Sequence, residues 1–484
     1  MEQKPKILFW LLASILLIWE LWMTRNSVGT SAITWMQVFK ASDFRDFDSV
    51  INFLLNLRIA IPPMLAILEI LNYQFNATTA ITSVYLYRVG LIGSYLLALR
   101  LAYPSLKHML VTFFVSLVFI YGTVITHPGN PQVYDILYPF FVLLSVFFLK
   151  QAERTTANVK HAILCLLAGF FLSMAELSRP FFILILPFVM ICAWMVLGKI
   201  KRFSFLLFLL PIFLFSGVWH AYIGVRFDQA FWSNTGGFSL WRAWKDYYST
   251  DPAPMRLIKE TSNQPLANDG RWENINTPEH SQNSTVLQRA IVAWWVGHPR
   301  RFAIASVEKL LYFFSTPTKI YNHDPQAPYL FLFRYLSNFS FLFLFVSGFV
   351  FGLKLLEDRA SLGMVFANQN TILIIVAILS TLVLSLTEKY EEIRLIISLL
   401  PILALFPLMI GQTNNSHVIM LNKYSQMFLL AIAILFLLTG ISGFIWMKWS
   451  PTPSFTFTRA ALIMSALVMG VLGVSIAFYN KRFS

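Results

Sequence analysis

Long apolar runs separated by short polar loops leave this chain few ways to fold. They fall at residues 7–23, 80–103, 109–126, 135–149, 161–178, 181–198, 203–224, 329–353, 371–387, 393–411, 426–447 and 460–479. Most match the length that a helix needs to cross a hydrocarbon core of roughly 30 Å. With 57% hydrophobic and only 12% charged residues over 484 positions, the chain has about half the charge of an ordinary soluble protein, where the fraction is about 25%. The expected class is an all-α polytopic membrane protein with about 12 transmembrane helices by the hydropathy-window argument. Residues 7–23 also have the look of a signal peptide, but no small-residue cleavage site of the A-x-A kind follows, so an uncleaved first helix is expected.

Orientation follows from where the basic residues fall. The net charge of +14 is not gathered into a compact basic run of the kind that binds nucleic acid. It is scattered over loops that carry Lys107, then Lys150, Arg154 and Lys160, then Lys199, Lys201 and Arg202, then Lys354 and Arg359, with Lys481 and Arg482 at the end. Loops rich in Lys and Arg mark the cytoplasmic side, which puts both termini in the cytoplasm and the chain in the plasma (inner) membrane. The run 53–71 carries Asn56, Arg58, Pro62, Pro63 and Glu69 and is read as an interfacial helical part of the first outer loop. Counting it as a span would turn every later basic loop outward. Cys165 and Cys192 fall inside predicted spans, offer no disulfide framework or thiolate metal site, and are expected to pack.

Under this orientation the outer side collects the chemistry. It receives the acidic stretch 42–48 (Ser-Asp-Phe-Arg-Asp-Phe-Asp), the loop 126–131 with His127, Asp135 at the head of a span, the turn Glu176-Leu177-Ser178-Arg179-Pro180 and the charged corner 388–394. Ionisable groups in or beside spans are costly and face the bundle interior or a wet cavity, which makes them functional candidates. Each also has a plainer use. Arg179 before Pro180 suits an interfacial snorkelling side chain, Arg88 suits an ion pair with Glu20 or Glu69, and His298-Pro299 suits a helix boundary. Dinucleotide, Walker-type and hydrolase-elbow motifs are absent, as is H-E-x-x-H. Asp46-Phe47-Asp48 has the D-x-D form that soluble glycosyltransferases use, but the chain has no room for the α/β domain that use requires.

Three parts are expected. Residues 1–224 form an N-terminal transmembrane catalytic module with the acidic first loop, 225–328 a long extracytoplasmic loop, and 329–484 the C-terminal transmembrane helices. The long loop holds Trp232, Trp241, Trp244, Tyr247, Tyr248 and Trp272. These aromatic faces suit either sugar rings or a membrane-interface belt.

Taken together and in order, the acidic first loop, the Glu176–Pro180 turn, the segment 236–241 (Gly-Gly-Phe-Ser-Leu-Trp), the helix start 298–302 (His-Pro-Arg-Arg-Phe) and the 388–394 corner resemble the GT-C superfamily of membrane glycosyltransferases. The likeness is to bacterial members related to protein O-mannosyltransferases and the aminoarabinose transferases of lipid A, and it extends to about Met409. Many relatives carry adjacent Asp-Glu in the first loop; here the acids alternate with Phe44, Arg45 and Phe47.

The resemblance implies transfer of a sugar from a polyprenyl-phosphate donor to a lipid, glycan or protein acceptor on the extracytoplasmic face. The acceptor hydroxyl needs a general base, with Asp43 the first choice and Asp46, Asp48 and Asp135 the other carboxylates implied. Arg179, Lys389 and Arg394 are the implied donor-phosphate ligands, since arginine meets phosphate through paired hydrogen bonds. A divalent metal ion, Mg2+ or Mn2+, held by Asp135 and Asp48 is a further way to screen the leaving phosphate. Two other classes stay open: an O-antigen-type glycan polymerase or ligase, which lacks reason for an acidic first loop, and a membrane transporter, which should show paired repeats and helices broken near the midplane.

Overall fold

The computed structural model describes residues 46–56, 133–155, 157–198, 202–227, 236–248, 278–315, 369–387 and 402. All the elements described are helical. The predicted spans 7–23, 80–103, 109–126, 329–353, 426–447 and 460–479 lie outside the described residues, and 393–411 is described only at Ile402.

In chain order α1 is Phe47–Asn56, α2 Val133–Glu153, α3 Asn158–Ser178, α4 Leu186–Gly198, α5 Arg202–Pro211, α6 Val218–Phe227, α7 Gly236–Tyr248, α8 Pro278–Gly297, α9 Pro299–Ser315 and α10 Gln369–Thr387. A 3-10 turn, Pro180–Leu184, joins α3 to α4, and a π-helical segment, Ile212–Gly217, joins α5 to α6. Among the described residues two stretches are long and apolar enough to cross a membrane, Asn158–Ser178 and Phe203–Arg226. At 1.5 Å per residue they reach roughly 31 and 36 Å. The chain is therefore compatible with a helical membrane protein.

Helix α2 turns back on α3 through a short corner in which Thr155 N–H donates to the Ala152 carbonyl at 3.1 Å. Aromatic rings close the seam: Phe148 stacks on Phe171 with centroids 5.4 Å apart, and Phe141 lies 6.0 Å from the same ring. At the far end Tyr138 packs on Phe181 and Phe182, each with a centroid distance of 5.3 Å, and its hydroxyl bonds Ser380 of α10. The head of α2 and the end of α3 therefore share one end of the bundle. Proline sets that end of α3. The residue before a proline avoids helical geometry, and Arg179 is extended, at φ −142° and ψ 106°.

From its start, α5 runs beside α3 in the same direction. His161 meets Ser204, Gly169 meets Phe208, Phe170 meets Phe215, and Glu176 meets Ser216 and His220. Approach is closest at Gly169, where a Cβ would sit 1.9 Å from the Phe208 carbonyl oxygen. Small residues that let two backbones touch are the usual glue of membrane helices. Pro211 then removes one backbone donor, and the π segment follows it directly. Helix α3 is central and the α5–α6 stretch peripheral, with 67% against 28% of the apolar window buried. The outward faces of α4 to α6 carry exposed Phe188, Ile191, Trp194, Phe203, Leu206, Phe213 and Leu214. An apolar face this large is abnormal on a soluble domain and ordinary against lipid.

Residues 236–248 and 278–315 form a helical module. Gly237 lets α7 touch α8: a Cβ there would lie 1.7 Å from the Ser284 carbonyl oxygen, while its N–H donates to the Ser284 hydroxyl at 2.9 Å. The core of the module is Leu240, Ala243, Trp244, Ile291 and Ala305. Trp244 is fully buried, stacked on Phe302 at 5.4 Å, with Trp295 at its edge and the Lys309 ammonium 5.2 Å from its centroid. Its Nε1–H donates to the Leu386 carbonyl at 2.7 Å and so fastens the module to the end of α10. Trp244 is thereby engaged in packing and leaves no face for a sugar ring.

Candidate functional site

The most concentrated buried polar chemistry in the described membrane-type helices lies where α3 ends. Glu176 is 2% exposed. Its Oε2 accepts from the Ser216 hydroxyl, and its Oε1 lies 2.7 Å from His220 Nε2. The spacing of four between Ser216 and His220 places both on one face, and the π segment ends between them, at Gly217. Single π turns in helices recur at functional sites. When Glu176 is ionised it can only accept, so Nε2 must carry the proton of the His220 bond. The ring is 18% exposed. Its Nδ1 is buried and has no hydrogen-bond partner among the described residues; the same holds for Nε1 of the adjacent Trp219.

Around this cluster lie several of the residues expected from sequence. Arg179 follows Glu176 by one helical turn and is partly buried at the corner. Asp135 lies on the first turn of α2, the helix head at this same end. Helix α1 touches α6 where the Tyr222 hydroxyl, two residues beyond His220 in sequence, donates to the Leu55 carbonyl. Asp43, Lys389 and Arg394 lie outside the described residues.

The two described first-loop acids have structural uses. Asp46 caps α1: its Oδ1 accepts from the Ser49 N–H at 2.7 Å and the Ser49 hydroxyl at 2.6 Å. Asp48 is exposed in the first turn of the same helix, where a negative charge complements the helix dipole. Asp46→Ala should therefore cost α1 about 1 kcal/mol, the usual value of an N-cap. Thermal melting of this variant against wild type checks that cost. No group of three or more His, Cys, Asp or Glu side chains is gathered among the described residues. Mg2+ needs less, since one or two carboxylates plus substrate phosphate often suffice.

At the opposite end of α3, His161 is buried and bonded to the Ala152 carbonyl at 2.9 Å and the Ser204 hydroxyl at 2.6 Å, with Cys165 Sγ at 3.6 Å. Both ring nitrogens are satisfied, which makes this a clasp between α2, α3 and α5. Cys192 is likewise buried and free.

Comparisons with protein-family models, with curated proteins and with solved structures return no match to this chain.

His220 and Ser216 escape a sequence reading that looks for motifs, because their partner is 44 and 40 residues away. One signal was available. His220 is an ionisable residue inside the apolar run 203–224, and such residues count as functional candidates on that ground alone.

Proposed function

We propose that the chain is a multi-pass membrane glycosyltransferase that moves a sugar from a polyprenyl-phosphate donor to a lipid, glycan or protein acceptor on the extracytoplasmic face. The single observation behind this reading is the buried Glu176–Ser216–His220 cluster at an end of an apolar helical bundle that also carries Arg179 and the head of α2. The proposal comprises about 12 spans, both termini in the cytoplasm and the cluster at the outer end. Asp43 acts as general base on the acceptor hydroxyl. Arg179, with Lys389 and Arg394 from the later corner, holds the donor phosphate and gains strength as charge develops on the leaving oxygen. A divalent cation at Asp135 and Asp48 would add charge of the same sign beside that phosphate. The bundle is open to lipid on its sides, which suits a donor with a polyprenyl tail.

The test uses purified protein and a synthetic polyprenyl-phosphate sugar. Arg179→Lys is expected to slow turnover about tenfold, equivalent to about 1.4 kcal/mol of barrier, because lysine cannot reproduce a two-pronged contact. Protein yield should be unchanged. Full turnover in both Arg179→Lys and Arg179→Ala removes Arg179 from the phosphate site.

Orientation has its own test, and the native cysteines do not obstruct it because both are buried. Introduced singly, Thr387→Cys is expected to react in intact cells with a membrane-impermeant thiol reagent, whereas Thr155→Cys is not. Labelling at Thr155 reverses the topology.

A second reading, proton-coupled transport, draws on the π segment in the middle of the 203–226 stretch. Broken helices near the midplane are typical of transporters. Proton-driven substrate uptake into vesicles, without sugar transfer, would favour it.

A further inference from the structure

We infer that His220, held by Glu176, is a proton-transfer residue of this site, acting through Nδ1 as the acid that protonates the departing phosphate. The inference rests on the glycosyltransferase reading for its substrate, and on geometry for its proton. Glu176 Oε1 lies 2.7 Å from Nε2, which fixes the ring and leaves Nδ1 as the exchanging nitrogen. A carboxylate that orients one imidazole nitrogen so that the other can exchange a proton is the logic of the catalytic triads. Here the carboxylate is itself anchored by the Ser216 hydroxyl. Glu176 is therefore a positioning residue.

His220 is well placed for this work. It is mostly buried, with 18% of the side chain exposed and Nδ1 itself buried, so the exchanging atom is kept out of bulk water. Its Nδ1 has no hydrogen-bond partner among the described residues. A purely structural histidine is normally satisfied at both nitrogens, as His161 is. The charged and titratable groups on the elements packed at this end are Glu176 and Arg179 of α3 and its corner, Tyr134, Asp135 and Tyr138 at the head of α2, and Tyr222 and Arg226 of α6. Across the Tyr222–Leu55 bond, α1 adds Asp46 and Asp48. Arg179 is three residues from Glu176, so the proposed phosphate ligand and the proton donor share one corner.

The step balances. The acceptor oxygen forms a bond to the anomeric carbon and gives its proton to Asp43. The bond from that carbon to the phosphate oxygen breaks, and the electron pair stays on the phosphate. His220, starting with both ring nitrogens protonated, gives that phosphate its Nδ1 proton and returns to the Nε2–H tautomer, leaving a singly protonated polyprenyl phosphate. Loss of a proton from Asp43 to water and uptake of one by His220 reset the site.

The experiment uses the full chain in lipid nanodiscs with 15N-labelled histidine, and assigns His220 by difference from His220→Gln. Wild type is expected to show His220 protonated at Nε2 and bare at Nδ1, with Nδ1 gaining a proton on acidification. Glu176→Gln should lose that single tautomer and Glu176→Asp should restore most of it. In the transfer assay His220→Gln is expected to lower turnover about a hundredfold, within the usual range of general acid catalysis, and to abolish the fall in rate on the alkaline side. The acid-side fall, owed to Asp43, should remain. Protonation of neutral His220 at Nδ1 instead, a spectrum indifferent to Glu176→Gln, or an unchanged pH profile in His220→Gln overturns the inference. If wild type transfers sugar from no polyprenyl-phosphate donor, the glycosyltransferase reading falls and with it the phosphate as proton acceptor. The tautomer measurement then decides alone whether Nδ1 is a proton-exchanging atom.

Discussion

Gly169→Ala is expected to lower the melting temperature of the detergent-solubilised protein sharply, whereas Gly224→Ala leaves it unchanged or raises it. Gly169 lies on α3 and Gly224 on α6, and by helix propensity alone each substitution should help, by roughly 0.5–1 kcal/mol. What differs is space. A Cβ at residue 169 would lie 1.9 Å from the Phe208 carbonyl oxygen, 2.9 Å from its carbon and 3.3 Å from Pro211 Cδ, while one at 224 meets nothing within 4 Å. The obstructing atoms at 169 are the Phe208 carbonyl group and the ring of Pro211, so no side-chain rotation relieves the clash. The helices must separate by an ångström or more, and that loosens Phe170 from Phe215 and shifts Ser216 relative to Glu176. Overpacking of a tight core costs typically 1–3 kcal/mol, and a backbone clash of this size belongs at or above the upper end. Gly169→Val should leave little folded protein. Equal melting temperatures for the 169 and 224 alanine variants would show that α3 and α5 do not touch there.

How much of this was legible beforehand differs between helices and contacts. Apolar runs foretold the bounds of the described helices closely: 135–149 became Val133–Glu153, 161–178 became Asn158–Ser178, and 371–387 became Gln369–Thr387. Pattern reports length well because an unbroken apolar run must be kept from water along its whole length. Where it slipped, backbone chemistry decided. The run 181–198 begins as a 3-10 turn and becomes α-helical only at Leu186, since Pro180 interrupts the chain after α3. The run 203–224 contains a π segment that hydropathy cannot register, because Ile212, Phe213, Leu214 and Phe215 are apolar in either geometry. For the site, Glu176 and Arg179 stood out as charges at a span boundary. Nothing local announced that Glu176 meets Ser216 and His220, because that depends on α3 and α5 running parallel with α4 between them. Asp46 reads in sequence as one of three similar acids, and only the geometry of Ser49 shows it capping a helix.

The Glu176 cluster should reveal itself by non-additivity. Glu176→Ala removes a carboxylate that is 2% exposed and leaves two buried donors, the Ser216 hydroxyl and His220 Nε2–H, without their acceptor. Breaking a buried pair from one side costs about 3–5 kcal/mol. His220→Ala should cost less, about 1–3 kcal/mol, because Glu176 keeps its bond to Ser216 and part of the imidazole is exposed. The double variant is expected to fall short of the sum by about 0.5–3 kcal/mol, the usual coupling of residues in one network. Chemical unfolding in nanodiscs measures all four corners of the cycle, and additivity within a few tenths of a kcal/mol would dissolve the cluster. A final variant separates stability from chemistry. Replacing the whole cluster by apolar residues, Glu176→Leu with Ser216→Ala and His220→Leu, removes every buried polar group at once, a change that is often neutral or stabilising. That protein should melt near or above wild type and transfer no sugar. Retained transfer in a folded apolar variant would make the cluster a helix clasp like His161, and the catalytic proton would then have to be sought at the first-loop acids.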